Sequence, residues 1–286
     1  MVDCIISLEK TCDLNEELLE KYKLSTIDME FMVGDELFST STHDPISSNL
    51  YVEMKKGKKT STSQINELAY TEYLEKIAKQ NKPIVHIGFS SGLSGTVFTA
   101  QKVAEKINKK FGKTLIYVVD SLCACSGQGL LGIYAREFSA CCDKVEDLID
   151  FIENIKLKIK HCYTVDNLKY LVAGGRIKPA VALIGKLLNI KPVMFLDNNG
   201  KLALRNKVLL RKRAILALAE ECKQSFDKDF KMILISHADC EADAKILSEI
   251  VEKQCGVKPI ILNLGPIVGS HSGPGTLSIY YVSDAR

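Results

Sequence analysis

Short apolar runs and amphipathic stretches alternate along the first half of the chain. Apolar runs predict strands over 2–8, 26–33, 83–89 and 114–119. Apolar residues that recur every three or four positions predict helices over 15–22, 45–54, 65–80, 97–110 and 145–160, with a further helix that ends near 142. Strands that alternate with helices usually pair in parallel and are joined by crossover helices. The first half therefore predicts a mainly parallel sheet.

The second half mixes strands and helices less regularly. We expect strands over 161–165, 191–196, 201–207, 231–237, 258–264 and 276–282, and helices over 180–190, 211–225 and 242–255. The sequence Asn198-Asn199-Gly200 predicts a hairpin turn between two of these strands. A chain of 286 residues is long enough for two domains. We therefore predict an α/β protein with an N-terminal α/β domain over 1–158 and a C-terminal α/β domain over 159–286.

Composition and charge exclude several classes of partner. The 38 basic and 35 acidic residues leave a net charge of +3, which is too balanced for a protein that binds nucleic acid or a membrane surface. The ten cysteines include no pair with zinc-ligand spacing, so we expect no metal. We see no signal peptide and no apolar run of membrane-spanning length. We therefore expect a cytoplasmic protein without stable membrane insertion.

A loop of small residues, SSGLSGT at 90–96, follows the strand predicted over 83–89 and precedes a helix. Unpaired N–H groups and the positive end of the helix dipole make such a loop an anion site. Ligands of parallel sheets bind beyond the carboxyl ends of the strands. Thr62, Ser91, Ser94 and Asp120 all lie at strand ends or helix starts, so we expect them near that edge.

The loop has features in common with two familiar kinds of site, a serine esterase and a nucleotide-binding loop. Gly88 to Gly92 matches G-x-S-x-G, so a serine esterase could use Ser90, with His237 or His271 as base and an aspartate, Asp120 or Asp239, to orient it. The Lys of a P-loop and the G-x-G-x-x-G motif of dinucleotide sites are both missing, which argues against nucleotide binding.

The third hypothesis is a carboxylate site built from hydroxyls, backbone N–H groups and one imidazole. Ser91, Ser94, Thr62 or Ser63 would supply hydroxyls, and His271 would lie in a glycine-rich loop over 265–275. The supporting positions are the glycines of the two loops and the acidic residue after the next strand: Gly92, Gly95, Asp120 and Gly273.

Several motifs, taken in order, resemble one family. They are TSQ at 62–64, SSGLSGT at 90–96, Asp120-Ser121, GGRI at 174–177, KP at 191–192 and GPIVGSHSGPG at 265–275. This series resembles the DegV family, bacterial fatty-acid-binding proteins that are called FakB where they serve a fatty acid kinase. The resemblance covers nearly the full chain. Two departures stand out: the early Asp-Ser pair is missing from 7–14, and TSQ is followed by Ile65 instead of proline.

The resemblance implies one fatty acid held between two α/β domains, with its acyl chain in an apolar tunnel. Its carboxylate would meet Thr62, Ser91 or Ser94, and His271, with Arg176 as a nearby cation. The chain would then be a non-catalytic carrier whose partner is a kinase, with no cofactor besides the bound fatty acid. Segments 181–190 and 260–264 would line the tunnel. The basic residues Lys207, Arg211, Lys212 and Arg213 would be a solvated helix start or a docking face for the kinase.

Overall fold

The structure is a computed structural model that describes residues 1–41, 46–179 and 189–284. Its strands are β1 (Ile5–Glu9), β2 (Leu24–Ile27), β3 (Glu30–Val33), β4 (Glu36–Ser39), β5 (Thr60–Thr62), β6 (Ile84–Gly88), β7 (Ile116–Asp120), β8 (Ile159–Thr164), β9 (Ile190–Leu196), β10 (Leu202–Leu209), β11 (Leu234–His237), β12 (Ile260–Asn263) and β13 (Leu277–Val282). Its α-helices are α1 (Glu16–Lys21), α2 (Ile46–Lys55), α3 (Glu67–Ala78), α4 (Thr96–Phe111), α5 (Cys125–Ser139), α6 (Val145–Ile155), α7 (Lys169–Ala173), α8 (Arg211–Ser225), α9 (Glu241–Cys255) and α10 (Pro266–Ser272).

The N-terminal sheet is parallel throughout, with strand order β2-β1-β6-β7. Every residue of β1 and β6 is buried, as expected for parallel strands that are covered by helices on both faces. Both strands read as short apolar runs interrupted by few polar residues. The prediction of a mainly parallel sheet with crossover helices is therefore confirmed.

A second sheet of six strands, β10-β9-β8-β13-β11-β12, is built from residues after 158. Its neighbours are antiparallel except for β11 and β12. Alternate residues of β13 face opposite sides of this sheet: Ile279 and Tyr281 pack in one apolar cluster, and Tyr280 packs in the other. The α/β class is confirmed, and the boundary at 158, which falls just before β8, stays a prediction.

The prediction of one strand over 26–33 is wrong. The segment divides after Ile27, so that β2 joins the parallel sheet and β3 joins a separate three-stranded sheet of order β4-β3-β5. The residues Thr60 to Thr62, for which no strand was predicted, form β5 against β3. Asn66 caps α3, since its side chain accepts a hydrogen bond from the Ala69 N–H at 2.9 Å.

Two further differences concern the end of one segment and the type of another. The helix predicted over 145–160 ends at Ile155, and β8 begins at Ile159 after one 3-10 turn. The glycine-rich segment that carries His271 is not a loop, because it forms α10 with Pro266 in its first turn. Gly273, with φ +82°, ends that helix. The helix predicted over 180–190 lies outside the described residues, apart from its last two positions.

The small-residue loop after β6 packs against the turn between β9 and β10. The Ser90 hydroxyl donates a hydrogen bond of 2.8 Å to the Gly200 carbonyl oxygen. A Cβ on Gly92 would lie 2.4 Å from the Asn199 carbonyl oxygen, so this contact admits no side chain. The turn thus joins a loop of the parallel sheet to the six-stranded sheet through backbone contact.

We predict that Gly200→Ala destabilises the protein more than Gly256→Ala does. Both glycines have positive φ, at +66° and +72°, so each alanine costs about 1–2 kcal/mol of backbone strain. Only at Gly200 would the new Cβ also clash with its neighbours, since it would lie 2.0 Å from Ser90 Oγ and 3.1 Å from Leu122 Cα. This clash should cost about 1–3 kcal/mol more in stability. Denaturant unfolding of the two variants measures the difference, and equal losses would contradict the packing described here.

Candidate functional site

A cavity of about 950 Å³, opening included, lies at the carboxyl ends of the parallel strands. Glu9, the last residue of β1, and Phe89, which follows β6, both line it. Tyr163 and Tyr280 of the six-stranded sheet line it from the other side. The ligand position expected from parallel-sheet topology therefore coincides with a real cavity.

Five of the residues predicted to bind the carboxylate line this cavity: Thr62, Ser63, Ser94, Arg176 and His271. We call these five the polar cluster. Thr62 Oγ1 and His271 Nε2 are hydrogen-bonded at 2.7 Å and link β5 to α10. Ser63 is exposed, so the polar cluster lies at a part of the cavity that reaches solvent.

The charge state of the polar cluster follows from its burial. Burial, together with the nearby Arg176 guanidinium, lowers the pKa of His271 to about 4, so the imidazole is neutral near neutral pH. Arg176 is itself half-buried and donates a hydrogen bond to the Gly174 carbonyl oxygen. A Cβ on Gly174 would lie 2.5 Å from His271 Nδ1, so the glycine permits this close approach. The polar cluster therefore carries one positive charge, on Arg176, beside neutral donors.

The two candidate serines of the small-residue loop at 90–96 have different roles. One lines the cavity, and the other stabilises the loop. Ser94 lines the cavity, and its hydroxyl is 2.9 Å from Thr96 Oγ1. Ser91 does not line it, and the Ser91 N–H donates to the Asp120 carboxylate at 3.1 Å. Asp120 also accepts from the Leu122 N–H at 3.1 Å, so it holds two loops together.

The glycines predicted to support the site lie behind the cavity wall. A Cβ on Gly92 would meet the turn before β10, and one on Gly95 would lie 3.1 Å from the Gln64 side chain. A Cβ on Gly273 would lie 2.1 Å from Tyr170 Cδ2. None of the three lines the cavity, so the space they leave is filled by the protein itself.

Ser90, the nucleophile of the esterase alternative, is completely buried. Its hydroxyl donates to the Gly200 carbonyl oxygen at 2.8 Å and accepts from the Gly92 N–H at 3.2 Å. Among the described residues no histidine is hydrogen-bonded to Ser90. The arrangement lacks the serine–imidazole contact that activates a nucleophile.

One charged residue of the cavity wall was missed from the sequence. Glu9 is fully buried, and its carboxylate accepts hydrogen bonds from the Phe89 N–H at 2.9 Å, the Tyr70 hydroxyl at 3.0 Å and the Gln128 amide at 2.5 Å. Burial alone would raise the pKa of Glu9, but His86, the Phe89 N–H and the Gln128 amide lower it below its ordinary value. The signal was a single acidic residue at the end of an otherwise apolar strand.

Two further properties of the described residues concern metal ions and membranes. Within residues 1–41, 46–179 and 189–284, no group of three or more His, Cys, Asp or Glu side chains is arranged to hold a metal ion. Over the same ranges, no helix has the length and apolar character needed to cross a membrane.

Several known proteins resemble this chain in sequence and in fold. The sequence model of the DegV family, described as uncharacterised proteins, matches residues 6–284. A DegV domain-containing protein of Clostridium perfringens is 32% identical over 289 aligned positions, which cover 99% of this chain and 98% of the relative. A DegV lipid-binding protein from Thermotoga maritima has a crystal structure with 26% identity and a TM-score of 0.86, and all of both chains align.

A third comparison is with DegV from Bacillus subtilis, whose crystal structure is described as that of a fatty acid binding protein. It is 26% identical, covers 99% of this chain and 100% of its own, and has a TM-score of 0.81. The family match spans almost the whole chain, and the Clostridium relative aligns over nearly its full length. The chain therefore belongs to the DegV family.

Proposed function

We propose that this protein binds one long-chain fatty acid and presents its carboxylate to a separate fatty acid kinase. The observation that carries the proposal is the cavity itself, in which Thr62, His271 and Arg176 meet at one solvent-reaching part of an otherwise largely apolar wall. The DegV relatives from Thermotoga maritima and Bacillus subtilis, described as lipid-binding and fatty-acid-binding, support the same ligand class.

A carboxylate needs several partners to leave water, because an unpaired buried charge is very costly. In our proposal the Arg176 guanidinium supplies the compensating charge, and the Thr62 and His271 groups supply hydrogen bonds. Between the two serines that the sequence left open, we assign the contact to Ser94, since Ser94 lines the cavity and Ser91 does not. Ser63 lies beside Thr62 in the same wall.

The acyl chain would bind through apolar contact. The aliphatic residues of the wall come from both halves of the chain, and they are Met29, Leu93, Leu171, Leu196, Leu202, Leu264, Ile267 and Val268. Leu264 is the member of the predicted tunnel segment 260–264 that reaches the cavity. A chain of about 16 methylene groups gains at most about 13 kcal/mol by leaving water. Chain burial would therefore supply most of the affinity.

Glu9 supports one orientation of the ligand over the other. His86, the Phe89 N–H and the Gln128 amide lower the pKa of Glu9, so its carboxylate stays ionised in the cavity wall and offers a second carboxylate no hydrogen-bond donor. The Arg176 guanidinium, in contrast, attracts a carboxylate. The fatty acid would accordingly enter with its methyl end first and keep its carboxylate at the polar cluster.

Presentation to a kinase would use the solvent-reaching side of the polar cluster. In our proposal the phosphoryl transfer is carried out by the partner, since among the described residues no group on that side resembles an activated nucleophile. Lys207, Lys212 and Arg213 are exposed and remain a candidate docking face. Arg211 is not part of it, because its guanidinium is paired with Asp243 at 2.8 Å. The esterase alternative has no comparable support, since Ser90 is bonded to backbone groups.

We predict that protein purified from a bacterial host carries a fatty acid, detectable by native mass spectrometry. After solvent extraction the protein should take up oleate again, and it should bind oleyl alcohol more weakly, because the alcohol leaves Arg176 without an anionic partner. Absence of a fatty-acid adduct together with no uptake of added oleate would contradict the proposed function.

Head-group variants should lose phosphoryl transfer more than ligand binding. We expect Thr62→Val and His271→Ala each to weaken oleate binding by up to roughly tenfold, the value of one hydrogen bond, because the acyl chain dominates affinity. Acyl-phosphate formation by a bacterial fatty acid kinase should fall much further, since it needs a positioned carboxylate. Thr71→Val on α3, outside the cavity lining, is the control. Equal losses of binding and transfer would overturn the assigned role.

The pKa of His271 should rise when a fatty acid binds. In the ligand-free protein burial and Arg176 lower it to about 4, and an anionic carboxylate nearby favours the imidazolium. Two-dimensional NMR titration of the imidazole nitrogens, with and without oleate, measures the change. His237, whose pKa is also lowered by burial, does not line the cavity and should keep its value. An unchanged His271 titration in the oleate-loaded protein would place the carboxylate elsewhere.

A further inference from the structure

Four polar residues form a compact patch on the six-stranded sheet where it faces the cavity. Tyr163 of β8 is paired with Ser278 of β13, and His161 of β8 is paired with Tyr280 of β13. Residues two apart on a strand share one face, so all four side chains lie on the same side of the sheet. All four line the cavity, and each is at most 8% exposed. We call them the sheet patch.

The opposite face of β8 and β13 is part of an ordinary apolar core. Cys162, Ile279 and Tyr281 there pack in an apolar cluster with α8 and α9. Polar residues on the cavity face are therefore not a general property of these strands. A buried polar side chain costs free energy unless it is hydrogen-bonded, so each member of the sheet patch calls for a partner.

Three members of the sheet patch have partners within the protein. The Tyr280 hydroxyl donates to Ser278 Oγ at 2.8 Å, and Ser278 Oγ donates to the Ser236 carbonyl oxygen at 3.2 Å. His161 Nε2 accepts from the Ala124 N–H at 3.1 Å, and its Nδ1 lies 3.0 Å from the Ile159 carbonyl oxygen.

The fourth member, Tyr163, is different. Its hydroxyl is buried and has no hydrogen-bond partner among the described residues. Tyr163 is 8% exposed and belongs to the cavity wall, so neither bulk water nor any part of the fold within residues 1–41, 46–179 and 189–284 satisfies its hydroxyl. Burial raises the pKa of this phenol well above its ordinary value, so it remains a neutral O–H that can donate one hydrogen bond and accept another.

A saturated acyl chain would leave this hydroxyl unpaired. A methylene group neither donates nor accepts, so its contact with Tyr163 would keep the cost of the buried phenol. A hydroxyl or keto oxygen on the chain removes that cost, because it accepts a hydrogen bond from the Tyr163 hydroxyl. The second carboxylate of a dicarboxylic acid fits less well, since the sheet patch contains no lysine or arginine to pair with a second negative charge.

We propose that the preferred ligand is a fatty acid with an oxygen function along its acyl chain, a hydroxyl or keto group that pairs with the Tyr163 hydroxyl. This inference rests on the proposed function and specifies its substrate class. The polar cluster binds the carboxylate, and the sheet patch binds the oxygen on the chain. The two sets of residues would together fix how far the acid enters the cavity.

The experiment is a competition assay in which fatty acids displace a fluorescent fatty acid from extracted protein. Stearate is compared with a series of hydroxystearates in which the hydroxyl moves along the chain, and with oleate. We expect one or two neighbouring positions of the hydroxyl to bind about three- to tenfold tighter than stearate, the ratio for one net hydrogen bond. Positions near the carboxylate should show no such gain.

The variant Tyr163→Phe keeps the ring and removes only the hydroxyl. It should abolish the preference for the favoured hydroxystearate while stearate binding stays equal or tightens. Tyr134→Phe is the matched control, because Tyr134 is also buried, at 7% exposure, but packs on Phe230 outside the cavity lining. The control should keep the wild-type preference. Thermal unfolding of each variant verifies that the fold is retained.

Each alternative outcome has a separate meaning. Equal binding of stearate and every hydroxystearate by the wild-type protein would overturn the inference and leave fatty acid binding intact. If the wild-type protein preferred oleate alone and Tyr163→Phe lost that preference, the Tyr163 hydroxyl would contact a double bond. This result would also overturn the inference. A hydroxystearate preference that survives Tyr163→Phe would overturn the role of Tyr163. Failure of every fatty acid to displace the probe would contradict the proposed function itself.

Discussion

A carboxylate can leave water only where hydrogen-bond donors and a positive charge converge, and the proposed function depends on this constraint. In this protein the convergence requires two remote segments, because the Thr62 hydroxyl and the His271 imidazole meet at 2.7 Å across 209 positions of sequence. Arg176 brings the positive charge from a third segment. The polar cluster therefore exists only when the parallel sheet, the three-stranded sheet and α10 are all in place.

The secondary structure around the polar cluster explains how it is held. β5 pairs with β3 and so fixes the position of Thr62, and the Thr60 hydroxyl donates to the Ser270 carbonyl oxygen at 2.9 Å, which ties β5 to α10. Gly174 leaves room for the imidazole beside it. The strand pairing, the hydrogen bond and the glycine all fix backbone positions. The side chains that would bind a ligand are therefore held by rigid elements and need little rearrangement.

The sequence predicted the regular parts of the molecule well because their patterns are local. Buried apolar runs identified β1 and β6, and helical periodicity identified α4, α8 and α9 with small errors at their ends. It failed where pairing partners decide the outcome. Thr60 to Thr62 is too short and polar to be recognised as a strand, and it becomes one only because β3 lies alongside. The division between β2 and β3 is likewise made by two different sheets.

By itself the sequence determined the α/β class, the membership of the DegV family and the residue types available for a carboxylate. These depend on hydrophobic periodicity and on ordered motifs, both of which are properties of the chain. The tertiary structure decided that Ser94 and not Ser91 lines the cavity, that the pKa of Glu9 is lowered inside its wall, and that the Tyr163 hydroxyl has no partner in the described part of the chain. Those facts depend on which side chains from distant strands face one another, and strand register and sheet order, which fix this, are not encoded in any single segment.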